Sequence, residues 1–332
     1  MFTSGKTLFP IVNARPTFVK LALTYEPIVL FVCRADTEGN ILKAIVICAD
    51  DYGLSDGVSA AIEDLIARGR LSATGAMTGL PGWKRRAAGL KALVAHHPAD
   101  IGLHLTLTGQ RPLTHARGLA RGGRLPEIGP LVLRALAGAL PRAALEEELR
   151  AQFDAFEDEW GAPPDFIDGH QHAHALPGIR EIVIAEMTAR YGGRLPWLRN
   201  CTEPASWARR RRLGLRKALV VGTLSAGSAS RAAQSGIACN DSFRGLYGFT
   251  CDPPYRDVFR ASLAGPGERV LVHCHPGHVD EELRRLDPLL EPRAREYAYL
   301  GSDECREDLE RAGVRPARFT ETGQGPGSIA GA

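Results

Sequence analysis

Ala44-Ile45-Val46-Ile47-Cys48-Ala49-Asp50-Asp51-Tyr52-Gly53-Leu54-Ser55 is an apolar run that stops abruptly at two adjacent carboxylates and a glycine. A short run rich in β-branched residues and bounded by a turn signal predicts a strand covered on both faces, the mark of a parallel sheet wrapped in helices. Such sheets hold their ligands at the carboxyl ends of the strands. Asp50 and Asp51 are therefore expected at the rim of a pocket. Two ionised carboxylates that close need a cation or a shared proton to coexist, and a metal is the economical answer.

Working outward, Ser55 offers an N-cap to a helix carrying Val58, Ala61, Ile62 and Leu65, which Gly69 closes. Leu71–Met77 predicts a second strand, residues 84–96 a helix, and Ile101–Thr108 a third strand containing His104. This βαβα rhythm belongs to a parallel sheet or barrel. Residues 109–142, rich in Gly, Pro and Arg, read as an insertion arching over the strand ends. A helix from Ala143 with a Leu145, Leu149, Phe153, Phe156, Trp160 stripe follows, and then a strand from Asp165 that runs into His170, His172 and His174. Pro196–Asn200 and Gly236–Asn240 predict the fifth and sixth strands, Arg269–His273 the last, and residues 292–312 one charged closing helix.

The chain has 332 residues, 44% of them hydrophobic and 24% charged, as expected of a globular protein with a real core. A net charge of +3 is too small to imply nucleic acid. Seven cysteines with no C-x-x-C pair argue against a disulfide framework or a zinc ribbon, so a reducing cytoplasm is the default location. Leu21–Cys33 is apolar but too short to span a bilayer and lacks a signal-peptide cleavage site. Residues 1–40 are expected to be a poorly ordered extension, 41–318 the barrel and 319–332 a flexible tail. Residues 205–225 form a basic amphipathic stretch, read first as a solvated surface helix and second as a contact with the inner face of an anionic membrane.

Seven of the ten histidines fall in three strand-end clusters: His104, the 170-172-174 trio and the 273-275-278 trio. With the Asp pair, they supply carboxylate and imidazole donors from separate strands, a catalytic metal arrangement with a position left for water. Alternate residues of one strand cannot all point the same way, so His170, His172 and His174 are not expected to ligate together.

Ala49–Ser55, Gly102–Thr108, Asp168-Gly169-His170-Gln171-His172 and His273-Cys274-His275-Pro276 resemble, in order, the motifs of the YdjC-like carbohydrate deacetylases, and the resemblance covers most of the chain. It implies a single-domain α/β fold, an irregular (β/α) barrel related to the polysaccharide deacetylases. It is nearest to the hopanoid-biosynthesis (HpnK-like) branch, whose expected substrate is an N-acetylglucosaminyl hopanoid. Carried onto this chain, it implies that Asp51, His104 and His170 bind one divalent metal, Mg2+ or Zn2+, that Asp50 is the general base, and that His275 is a candidate general acid. His275 also has a plain structural reading beside Pro276. Asp168 either orients a ligand histidine or binds a sugar hydroxyl. Arg199 either holds Asp50 ionised or is an ordinary surface arginine, and His172 lies near the substrate rather than on the metal. The long amino-terminal extension and the glycine between Asp168 and His170 depart from what the pattern explains.

The leading expectation is thus a metal-dependent hydrolase acting on an acetylated amino sugar, lipid-linked in the finer reading, with no nucleic acid partner and with a homodimer admitted. A two-metal phosphoesterase is the competing enzyme, disfavoured by too few carboxylates and no glycine-rich phosphate loop. A carbohydrate- or lipid-binding barrel without turnover is the non-enzymatic alternative, and Asp50 speaks against it.

Overall fold

The computed structural model describes residues 42–323, and the expected extension over 1–40 lies outside them. β1 (Lys43–Tyr52) is buried from Ile45 onward on both faces, as its apolar run requires. Ser55 caps α1 (Asp56–Ala67), its hydroxyl accepting the Val58 N–H at 3.2 Å. β2 (Ala73–Ala76), α2 (Pro81–Val94) and β3 (Asp100–Leu105) continue the alternation. The insertion after β3 contains α3 (Ile128–Leu136), and α4 (Arg142–Trp160), β4 (Phe166–Gly169), α5 (Ile179–Tyr191) and β5 (Trp197–Leu198) follow. Three short helices, α6 (Ala205–Arg211), α7 (Leu215–Leu224) and α8 (Ser228–Gln234), precede β6 (Ser242–Arg244). The chain then runs through α9 (Tyr255–Leu263), β7 (Val270–Cys274), α10 (Glu281–Leu286), α11 (Glu291–Leu300), α12 (Asp303–Arg311) and β8 (Val314–Pro316).

All strand pairs are parallel, in the order β5-β4-β3-β2-β1-β7-β6, with β8 beside the start of β1. The two edges meet irregularly: Leu198 N–H donates to Ala238 O at 2.9 Å, Leu198 bridges Cys239, and Phe243 N–H donates to Thr202 O at 2.9 Å. The result is the expected irregular (β/α) barrel, built as one α/β unit. Successive side chains of a strand face opposite ways, so Val46 and Cys48 join the interior cluster with Ala73, Phe166, Trp197 and Leu271, while Ile45, Ile47 and Ala49 pack under the helices. Gly102 is needed inside: a Cβ there would lie 2.5 Å from the Phe166 ring.

Four sequence expectations change. The sixth strand is Ser242–Arg244, because the 236–240 segment makes a single bridge and Asn240 spends its side chain on Asn200. The closing helix is two helices, interrupted at Gly301 and restarted by Ser302, whose hydroxyl caps α12. The basic stretch is likewise broken at Arg212–Gly214 into α6 and α7, and its Arg211 is buried against Glu203 at 2.8 Å rather than solvated. The flexible tail cannot begin at 319. Phe319 is buried, stacks on Trp197, which stacks on Phe166, and its N–H donates to Asp100 Oδ2 at 2.8 Å.

Candidate active site

Asp50 follows the pleat of β1 and faces the barrel interior with Cys48, whereas simple alternation would send Asp51 out toward the helices. A bulge corrects this: between Ala49 and Tyr52, three steps on β1 match two on β2, and Asp51 takes a left-handed φ of 71°. That conformation costs a non-glycine residue about 1 kcal/mol. It turns the Asp51 carboxylate toward the strand ends that carry the histidines.

There Asp51 Oδ1 lies 3.2 Å from His104 Nε2 and 2.8 Å from His170 Nδ1, and one donor atom from each of the three residues falls within 4.8 Å of the others. Asp51 and His104 are buried, while the His170 side chain keeps 14% of its surface, which marks the open side of the group. His104 Nδ1 is held by Asp168 Oδ1 at 2.7 Å, the partner that orients a ligating histidine. Gly75 makes room for that pair, since a Cβ would sit 2.9 Å from His104 Nδ1 and 3.0 Å from Asp168 Oδ1. Arg293 Nη2 takes the other Asp51 oxygen at 2.6 Å and Asp287 at 2.8 Å. Burial alone would raise the Asp51 pKa, but Arg293 and the two histidines outweigh it and hold the carboxyl well below its usual range. His104 is opposed by burial yet pushed up to about 10, with Asp168 the largest favourable influence. One carboxylate and two imidazoles with converging donor atoms and an open side fit a divalent cation bound by Asp51, His104 and His170.

Arg199 is fully buried, which settles the choice left by the sequence against a surface arginine. Its Nη1 and Nη2 reach Asp50 at 2.8 and 2.6 Å, and Nη2 also lies 2.5 Å from Asp168 Oδ2 and 3.1 Å from Cys48 Sγ. Cys48, Asp50 and Asp168 have metal-like spacing of their own, but the guanidinium sits among them. Asp50 is thereby held well below the ordinary carboxylate range although burial pushes the other way. His275 Nε2 stands 3.9 Å from Asp50 Oδ2.

The His170 trio diverges, though not for the pleat reason given by sequence. β4 ends at Gly169, and residues 170–175 form a 3-10 turn in which Gln171 and His172 have φ of 53° and 61°. His172 turns away from Asp51 and packs against the Phe243 and His273 rings, and His174 Nε2 bonds to Arg199 O at 3.0 Å. Arg293, Asp287, Glu296 and Lys217 were missed. Glu296 accepts the His275 N–H at 2.5 Å and the Tyr247 hydroxyl at 2.7 Å, and burial pushes it up to about 7. Lys217 Nζ lies 4.1 Å from the Phe249 ring centre, and Phe249 packs edge-on against His275. Within helices or, for Asp287, just beyond one, these residues carry no sequence signal. Gly75 did carry one, as an isolated glycine inside a strand.

A family model described as YdjC-like protein matches residues 44–311. The chitooligosaccharide deacetylase of Yersinia pestis is 37% identical over 145 residues, which is 43% of this chain and 55% of that protein. The chitooligosaccharide deacetylase of an Enterobacter species is 34% identical over 150 residues, 45% and 57% of the two chains. The matched part thus spans little more than half the length of these relatives. A solved structure from Enterococcus faecalis, provisionally described as a cellobiose-phosphate cleavage protein, superposes with a TM-score of 0.64 at 20% identity, covering 84% of this chain and 98% of that one, and shows the same fold. With its four motifs gathered at one end of the barrel and the family match running from β1 into α12, this chain belongs to the YdjC-like family.

Proposed function

We propose that the protein is a metal-dependent hydrolase that removes the acetyl group from an N-acetylated amino sugar. The observation that carries this reading is the Asp51, His104, His170 donor group lying beside an Asp50 kept ionised by Arg199. The deacetylase names of the relatives support it. Asp51, His104 and His170 would hold the cation, Mg2+ or Zn2+, which when bound polarises the amide carbonyl and acidifies water. Asp50 accepts the proton of the attacking water. His275, whose Nε2 stands 3.9 Å from Asp50 Oδ2, is the general-acid candidate for the departing nitrogen, although burial disfavours its protonated form. Asp168 holds the His104 ring, and Arg199 keeps Asp50 from being the resting proton store. Arg199 also fills the place a second cation would need, which disfavours the two-metal phosphoesterase.

The finer reading is a lipid-linked amino sugar of the hopanoid type, supported by the motif resemblance alone. The test is mass-spectrometric detection of acetyl loss from N-acetylated glycosides, a hopanoid one included, with and without chelator. Undiminished deacetylation by metal-free protein would overturn the metal-dependent reading, and no acetyl loss on any glycoside would favour a binding barrel.

A further inference from the structure

Two insertions rise from the carboxyl ends of the strands, residues 109–142 after β3 and residues 204–240 after β5. The first contains six arginines against one carboxylate, Glu127, and the second seven cations and no carboxylate. Because the whole chain carries only +3, everything outside these two stretches is net acidic. Elsewhere on the surface most arginines are paired, as in Arg85 with Glu282, Arg86 with Glu63 and Arg311 with Glu307, with Arg194 and Arg269 among the exceptions. In the insertions Arg111, Arg117, Arg209, Arg210, Arg212 and Arg216 are exposed and, among the described residues, have no carboxylate within 4.0 Å.

The exposed large apolar side chains follow the same division. Among the described residues they are Leu113, Leu133, Leu136, Leu219 and Val220, all in these two insertions. Both insertions reach the amino end of α5: Leu140 Cδ1 would stand 3.0 Å from a Cβ on Gly178, Arg180 donates to Ala226 O at 2.8 Å, and Arg231 pairs with Glu181 at 3.1 Å. The second also touches the site, since α7 carries Lys217 over Phe249. Exposed apolar side chains flanked by unpaired arginines are the chemistry of a surface that lies on an anionic bilayer. An acidic protein or a polyanion would match the arginines but not the leucines.

The geometry points to the rim around the active-site mouth as a docking face for an anionic phospholipid bilayer. This deepens the deacetylase reading, and rests on it, by stating where a membrane-held substrate would be met. The arginines attract the headgroups, and α3 and α7 set Leu133, Leu136, Leu219 and Val220 into the interface.

The full chain is to be sedimented with phosphatidylcholine vesicles, with and without phosphatidylglycerol, while acetate release is followed on a water-soluble acetylated amino sugar. Binding is expected only to the anionic vesicles and should fall with salt. It should drop at least about tenfold on reversing Arg209, Arg210, Arg212 and Arg216 to Glu, and measurably in Arg111→Glu/Arg117→Glu and in Leu219→Ser/Val220→Ser. Acetate release should be unchanged in all three variants. Absent binding, binding indifferent to charge reversal, capture by RNA in preference to vesicles, or a solution dimer that Leu219→Ser/Val220→Ser dissociates would each overturn the docking face. Vesicle binding without acetate release would instead leave the docking face standing and remove the deacetylase reading.

Discussion

Arg199 and Asp50 form a two-pronged ion pair, at 2.8 and 2.6 Å, with the arginine side chain fully buried and the carboxylate 3% exposed. The pair reaches across the barrel from β5 to β1 and takes in Asp168 as well. Arg199→Lys keeps the charge but cannot fork, so it should lower kcat by at least about 10²-fold while the protein still folds. Arg199→Met leaves the buried Asp50 without its guanidinium and Asp168 with His104 alone, and should cost about 3–5 kcal/mol, read as a lowered melting temperature. Wild-type turnover in the lysine variant would refute the role given to the fork.

Gly75→Ala places a methyl group against His104 and Asp168, both fixed by buried strands. Circular dichroism should show a folded chain. Metal affinity, measured by titration calorimetry, should fall about 10- to 100-fold, as it does when an orienting partner of a ligating histidine is disturbed.

The protein should hold one divalent ion per chain by elemental analysis, and chelation should abolish acetate release. His104→Ala and His170→Ala should each lose the ion. His172→Ala should retain it, because that ring packs on Phe243 and His273 instead of facing Asp51. Two ions per chain would revive the phosphoesterase.

Asp100 supplies a pH dependence away from the site. Burial pushes its carboxyl up to about 6, above the unfolded value, with the Phe319 N–H pulling the other way. An acid raised on folding stabilises below its unfolded pKa and loses that contribution as pH rises through the folded one. Relative to the wild type, Asp100→Asn should therefore gain stability by about 2 kcal/mol between pH 4 and pH 8. Denaturant melts of both proteins at the two pH values check this, and a gap that stays constant or narrows refutes it.

The strand-to-carboxylate junction at Ala44–Ser55, the βαβα rhythm and the histidine clusters were legible in the sequence because parallel strands impose apolar runs and place polar ligands at their ends. Those local patterns sufficed for a parallel sheet or barrel with Asp50, Asp51 and the histidine clusters at its strand ends, while the choice of His104 and His170 among the histidines rested on the family resemblance. Only the tertiary structure decided how two adjacent carboxylates coexist: a bulge turns Asp51 toward the histidines and Arg293, while Asp50 keeps the pleat and meets Arg199. Those arginines lie 149 and 242 residues from their partners, and a charge in a helix or at a strand end looks the same whether it faces water or a buried acid. The position of Phe319 beneath the barrel and the divergence of His172 from His170 were hidden for the same reason. Sequence period records which face of an element is apolar, and folding alone determines which distant element that face meets.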